Sequence, residues 1–327
     1  KFLILDQERN IVRIIFREFI VDIANQTEEF LLEDLRKRDF TINSVSFSLG
    51  SRKLIDPVDG ICDLSNSLLR SYNLNNLLND PLRLLRCFRF VSELDFDIEP
   101  NLFKFIELQK SQLKTISVER IQYELKKIVN GQKALKTVLM LNKIKIFDWI
   151  QNYDNYSDKF LLSANFDYFL QEEVEKYIPI FYLRELLNRE VIKTFKFSKL
   201  DTYRINSLRV WSNKLKNKSI ENFTERERFD LHKDLEMILP AFILYLPLEY
   251  HYDWLKRWRN NQDKLFHPKN LINGNTLKNI IGIKDGPLLG NLLDYLSREF
   301  AYERLKDFDE AIYKAKDWFQ QNAPKCD

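Results

Sequence analysis

The sequence predicts an α+β chain in which a small sheet precedes a long, predominantly α-helical body. Three observations carry this. Residues 2–24 are rich in β-branched and aromatic side chains and are broken once by the polar stretch Gln7 to Asn10. From Thr27 onward Leu, Ile and Phe recur every three or four positions between Lys and Glu, which is a helical period. Only seven glycines occur in 327 residues, against roughly 7% in average usage, so phosphate-cradling glycine loops have little material.

The strands are expected at Phe2 to Leu5, Ile11 to Phe16 and Phe19 to Ala24, with Asp22 set among alternating apolar neighbours. Three such strands without a covering helix do not make a stable domain, so they read as the end of something larger. Pro57 and Gly60 interrupt the chain after an extended segment at residues 54–60. Further breaks at Asn130-Gly131 and His267-Pro268 divide the chain into 1–60, 61–130, 131–265 and 266–327. No repeat or low-complexity tract is evident.

Hydrophobic residues make up 45% of the chain and aromatics 13%, ample for packed cores in two or more domains. With 51 Lys+Arg against 48 Asp+Glu the net charge is +3, too balanced to define a nucleic-acid binder by composition. Any basic surface must come from clustering. Cys62, Cys87 and Cys326 lack paired or metal-ligand spacing, which fits structural thiols and a cytoplasmic location. No apolar run approaches the ~20 residues of a membrane span, and no signal-peptide zones open the chain. Lys1 is an unusual first residue, because initiator Met is trimmed before small residues, so an upstream segment is expected.

Four segments concentrate chemistry. Residues 33–43 place Arg36, Lys37, Arg38 and Asp39 at a helix end, and taken alone this is a solvated charge cluster. In residues 79–94, Asp80 suits an N-cap and Pro81 a first helical position. Asp80, Arg83 and Arg86 then share one helical face, opposite Leu84, Leu85, Phe88 and Val91. Arg83, Arg86 and Arg89 at spacings of three repel unless an anion or carboxylate lies nearby. Residues 117–125 read as support for that helix, with Ser117 as cap, Glu119 in the first turn and an Arg120–Glu124 pair.

The fourth segment, residues 271–293, spends Gly282, Gly286 and Gly290 within nine positions, and Gly286-Pro287 opens a helix whose N–H groups suit a phosphate. An ordinary packing joint fits equally well. Upstream, Lys256, Arg257 and Arg259 alternate with Trp254 and Trp258, a stretch fit for RNA or for cations snorkelling from a half-buried helix.

Asp80 and Arg83 permit a base-selection argument. C and A both place an exocyclic amine beside a ring-nitrogen acceptor, whereas U and G place a carbonyl beside a ring N–H. A carboxylate that accepts from the amine and a guanidinium that donates to the ring nitrogen therefore admit C and A and mismatch the other two. By analogy with base-edge readout the pair supplies ~1–3 kcal/mol of discrimination.

In this order the segments resemble the class II tRNA nucleotidyltransferases (CCA-adding enzymes) and the related bacterial poly(A) polymerases. The likeness runs through Glu33-Asp34-Leu35, Arg38-Asp39-Phe40-Thr41-Ile42-Asn43, Leu54-Ile55-Asp56-Pro57 with Asp63-Leu64 and Leu69-Arg70, Asp80-Pro81-Leu82-Arg83 to Phe90, residues 96–100, and Glu119-Arg120 with Glu124-Leu125. It is close over residues 1–130 and returns in the Gly-Pro tail.

The resemblance implies a nucleotidyltransferase sheet remnant as head (1–60), then a helical neck (61–130), body (131–265) and tRNA-contacting tail (266–327). It implies that Arg38 and Asp39 contact the triphosphate and ribose of the incoming nucleotide, that Asp80 and Arg83 template its base, that Asn43 and Arg86 belong to the same nucleotide-binding set, and that residues 56–63 form a hinge. Asn79 stands where several members carry an acid. Lys256, Arg257, Gly286 and Gly290 would meet RNA. The implied activity is addition of CCA to tRNA from CTP and ATP with Mg²⁺, without a membrane or protein partner.

Alternatives are a poly(A) polymerase, an enzyme adding only CC or only A, and a non-catalytic tRNA-binding module. The family's glycine-rich turn and Asp-x-Asp metal pair are absent from this sequence; Asp22 is the remaining candidate for that carboxylate cluster, and Asp95-Phe-Asp97 lies in the neck. The polypeptide as it stands is accordingly expected to bind without catalysing. His232, His251 and His267 are isolated, so no His-Asp hydrolase activity is expected.

Overall fold

Short-range pairing governs the start of the chain. In the computed structural model, which describes residues 1–6, 11–26, 28–150 and 158–322, strands β1 (Phe2–Asp6), β2 (Ile11–Ile15) and β3 (Ile20–Ala24) form an antiparallel sheet in sequence order. Arg13 stands opposite Asp22 in its register. Helix α1 (Leu31–Arg36) follows, then a hairpin of β4 (Ser46–Ser48) and β5 (Lys53–Ile55), and α2 (Gly60–Ser65). A two-residue parallel pairing joins β6 (Leu68–Leu69) to β7 (Asp97–Ile98). The sequence reading finds β structure only in residues 2–24, because strands of two or three residues are too short to show alternation.

The described chain divides into two compact units, residues 1–155 with 193–196, and 156–192 with 197–327. In the first, α3 (Leu82–Leu94), α4 (Pro100–Gln109), α5 (Val118–Val129) and α6 (Ala134–Lys143) surround a core in which Leu84, Leu85, Phe88 and Val91 are fully buried. These are the residues the helical wheel assigns inward, each contributing about 1.5–3 kcal/mol by burial. Gly131 lets the chain pass Ser92, where a Cβ would lie 2.2 Å from the serine Oγ. Ser117 opens α5 in extended geometry but makes no side-chain cap bond, contrary to its expected role.

The second unit contains α7 (Lys159–Leu162), α8 (Gln171–Leu186), most of α9 (Arg189–Thr194), α10 (Lys199–Asn217), α11 (Glu225–Leu235), α12 (Leu239–Ile243) and α13 (Leu248–Arg259). Its last helices, α14 (Gly274–Ile281), α15 (Pro287–Ala301) and α16 (Phe308–Asn322), share a separate apolar cluster including Leu277, Leu292, Leu296 and Leu305. Among the described residues no helix is long and apolar enough to cross a membrane. Cys62 is exposed and Cys87 buried, and both are free thiols; Cys326 lies outside the described residues.

Candidate nucleotide site

The segment after α1 and the start of α3 meet around a cavity of about 190 Å³ lined by Arg38, Asp39, Asp80, Leu82, Arg83, Arg86 and Arg120. Four guanidiniums against two carboxylates give it a positive balance suited to a polyphosphate.

Each arginine is positioned by its own partner. Arg86 donates from Nε to Asp39 Oδ2 at 2.8 Å, and Asp39, only 5% exposed, also accepts from the backbone N–H of Phe40 and from Asn43 Nδ2 at 2.9 Å. Arg38 donates to the Asn43 carbonyl at 2.9 Å. Arg83 donates from Nη1 to the carbonyls of Asn76 at 2.7 Å and Lys37 at 3.2 Å, while Asn76 donates to those of Arg36 and Arg38. Helix α3 thereby clamps residues 36–43.

Arg89, in contrast, points into the core and pairs with Glu124 at 3.4 Å and Glu93 at 3.5 Å. Burial raises the Glu124 carboxyl above its usual range despite the nearby Arg89 and Arg86 charges. Repulsion along the arginine row is thus relieved by a different acceptor at each step.

The expected Arg120–Glu124 pair is not formed. Glu124 turns inward to Arg89, and Arg120 reaches Asp80 with Nη2 2.6 Å from Oδ2. Burial pushes the Asp80 carboxyl up, but Arg120 outweighs it and holds the group below the ordinary carboxylate range. Asp80 also accepts from the Leu82 N–H at 3.3 Å, a weak version of the predicted cap. Sequence reasoning missed Arg120 as a cavity residue, because helical spacing shows only partners on the same helix. The one available signal was that Asp80 needed a cation.

Below the cavity, Asp56 accepts from the N–H groups of Gly60 at 2.8 Å and Ile61 at 2.9 Å, closing the turn into α2. Asp63, buried, takes the Thr41 hydroxyl at 2.5 Å and Arg70 Nε at 2.9 Å. A Cβ on Gly60 would lie 2.1 Å from the Thr41 carbonyl oxygen, so this junction admits only glycine without rearrangement.

Asp22 stands apart from this network. Its carboxylate is held by Arg13 through two 2.7 Å bonds, which lower it below the usual range. Among the described residues no group of three His, Cys, Asp or Glu is placed to hold a metal ion. These residues do not fit a two-metal centre.

The expected RNA-binding residues lie in the second unit. Arg257 is tied to Asp263 at 2.8 Å, and Arg259 to buried Glu173 at 2.7 Å, while Trp258 donates to the Glu236 carbonyl. Much of the basic aromatic stretch is therefore structural, although Lys256 is exposed. Gly286 opens α15 and Gly290 is exposed on its surface.

Fold and site together describe an α+β protein with an arginine-rich cavity in its first unit. A profile of the poly(A) polymerase head domain matches residues 8–70, and one described as "Probable RNA and SrmB- binding site of polymerase A" matches residues 95–153. The CC-adding tRNA nucleotidyltransferase of Synechocystis sp. is 28% identical over 345 residues, spanning 97% of this chain and 82% of that protein. The CC-adding tRNA nucleotidyltransferase of Shouchella clausii is 40% identical over 131 residues, 40% of this chain and 35% of that protein. A solved structure of the Bacillus stearothermophilus CCA-adding enzyme in complex with CTP has the same fold, with TM-score 0.70 and 19% identity over 100% of this chain and 86% of that one. The chain is thus similar in sequence to tRNA nucleotidyltransferases and, over residues 8–70 and 95–153, to poly(A) polymerase profiles.

Proposed function

We propose that this chain selects the nucleotide and holds the tRNA in an enzyme that adds cytidine to tRNA 3′ ends, as its CC-adding relatives are named for doing. The observation that carries it is the shared cavity of Asp80, Arg83, Arg86, Arg38 and Asp39. In this reading Asp80 accepts from the exocyclic amine of the base and Arg83 donates to its ring nitrogen. Arg38, Asp39 and Asn43 receive the triphosphate and ribose, and Arg86 keeps Asp39 in position.

The four segments 1–60, 61–130, 131–265 and 266–327 serve as head, neck, body and tail, the last two contacting tRNA through Lys256, Gly286 and Gly290, while Arg257, expected from the sequence to join them, is held by Asp263. Mg²⁺ is expected of the family's chemistry; the described residues do not supply its ligands.

A second reading, addition of the complete CCA end, is favoured by the pairing chemistry, since the Asp80–Arg83 pair accepts C and A alike. Transfer by the natural full-length protein onto tRNA lacking CCA separates the two. Products two nucleotides longer made from CTP alone support the first, three-nucleotide products requiring ATP support the second, and A-only tailing overturns both. Arg83→Ala is expected to narrow the preference for CTP over UTP and GTP; unchanged selectivity removes Arg83 from the base-reading role.

A further inference from the structure

Asn76 is bonded to both ends of the nucleotide cavity without lining it. It belongs to the 3₁₀ turn Leu74–Asn79 that leads into α3 and is only 6% exposed. Its Nδ2 donates to the carbonyls of Arg36 at 2.7 Å and Arg38 at 3.2 Å. Its own main-chain carbonyl accepts from Arg83 Nη1 at 2.7 Å, and the same nitrogen reaches the Lys37 carbonyl at 3.2 Å. The successive carbonyls of residues 36–38 are therefore held by one amide and one guanidinium.

These carbonyls lie where α1 ends, and the last carbonyls of a helix have no partner within it. Helix capping accounts for the two amide bonds. It does not account for Arg83. A guanidinium that reads a base must keep its plane and direction, and Arg83 is anchored on two carbonyls that Asn76 itself fixes: one is its own, and the other lies between the two that its amide holds. Arg38 and Asp39, which line the cavity beside Arg83, continue the same run of backbone. A buried amide bonded in this way is costly to displace, so the link is stiff.

We propose that Asn76 is a positioning residue for nucleotide selection, fixing Arg83 against residues 36–39 so that the base-reading and triphosphate-binding groups keep one spacing. The role rests on the reading of Arg83 as a base-contacting group. A displacement of about 1 Å at such a site is enough to lose most of what a contact contributes.

The test is a double-mutant cycle on the natural full-length protein, read as the ratio of kcat/KM for CTP to that for UTP on tRNA lacking CCA, with urea midpoints measured alongside. Asn76→Ala should lower the ratio about tenfold, the scale of one lost base contact. Combined with Arg83→Ala, it should lower the ratio no further than Arg83→Ala alone, because the amide acts through the guanidinium. A lower urea midpoint with an unchanged ratio is what capping alone would give, and it overturns the proposal. So does a double variant whose ratio falls by the product of the two single effects. If Arg83→Ala by itself leaves the ratio unchanged, the base-reading role fails and this proposal with it; a lower ratio in Arg83→Ala beside an unchanged one in Asn76→Ala defeats the coupling alone. Where Asn76→Ala does not fold, Asn76→Gln, which carries both donors on a longer arm, takes its place under the same criteria.

Discussion

Arg120 donates to Asp80 at 2.6 Å across 40 positions of chain, fastening the turn before α3 to the first turn of α5. The bond fixes Oδ2 of Asp80, while Oδ1 accepts the longer 3.3 Å bond from the Leu82 N–H. Arg120→Ala should therefore loosen base choice, lowering the CTP-over-UTP preference by roughly 1–3 kcal/mol, the scale of one bidentate base contact. Because Arg120 is nearly half exposed, stability should change by less than ~1 kcal/mol. Parallel binding and urea-melting measurements separate the two effects, and a large stability loss with unchanged selectivity would count against the role assigned to Asp80.

Removing Arg86 should act in the opposite proportion. Asp39 is almost fully buried, and Arg86 is its salt-bridge partner at 2.7 Å. Arg86→Ala leaves that charge without its cation, an expected cost of about 1–3 kcal/mol once the partial exposure of Arg86 is allowed for. Urea midpoints of the two proteins measure this, and Arg86→Lys should recover only part of it, since an ammonium lacks the planar fork.

In the basic aromatic stretch the two expected RNA contacts should differ. Lys256→Ala is expected to weaken tRNA binding and to reduce the slope of log K against log salt by about 0.7–0.9, the value for one phosphate contact. Arg257 is occupied by Asp263 and Phe266, so Arg257→Ala should leave that slope nearly unchanged while destabilising the second unit. Filter binding at several salt concentrations checks both, and equal slopes for wild type and Lys256→Ala would return the stretch to a structural role.

Acid should destabilise the second unit through His232. Burial, aided by the Arg257 and His267 charges and opposed by Asp263, pushes its imidazolium pKa from 6.5 down to about 3. The unfolded chain therefore takes up this proton first as pH falls, and stability is lost between those two values. From pH 6.5 to 5 the expected loss is roughly 2 kcal/mol. Four of the five tryptophans, Trp211, Trp254, Trp258 and Trp318, belong to the second unit, so their fluorescence in urea titrations reports it. His232→Gln should flatten the dependence.

Local patterns made much of this protein legible. Strand composition in residues 2–24 and the apolar stripe of α3 each depend on neighbours a few positions apart, and each recurs in the structure. The order of the motifs carried the similarity to tRNA nucleotidyltransferases, and the polarity of Asp80 and Arg83 carries the base preference proposed for them. Which cation faces which carboxylate was not legible, because such pairs form between elements whose spacing along the chain is arbitrary.

Thus Arg120 was assigned to Glu124 and belongs to Asp80, and three arginines that looked equivalent on one helix diverge to backbone carbonyls, to Asp39 and to Glu124. The trp-rich stretch of α13 shows the same division. Its alternation of rings and cations was plain in the sequence, but only packing against α11 encloses His232 and its unpaired nitrogen in an aromatic wall. The sequence alone determined the helices and the residue types available to the site; the tertiary structure decided their partners, since burial and charge pairing depend on distances that chain order does not set.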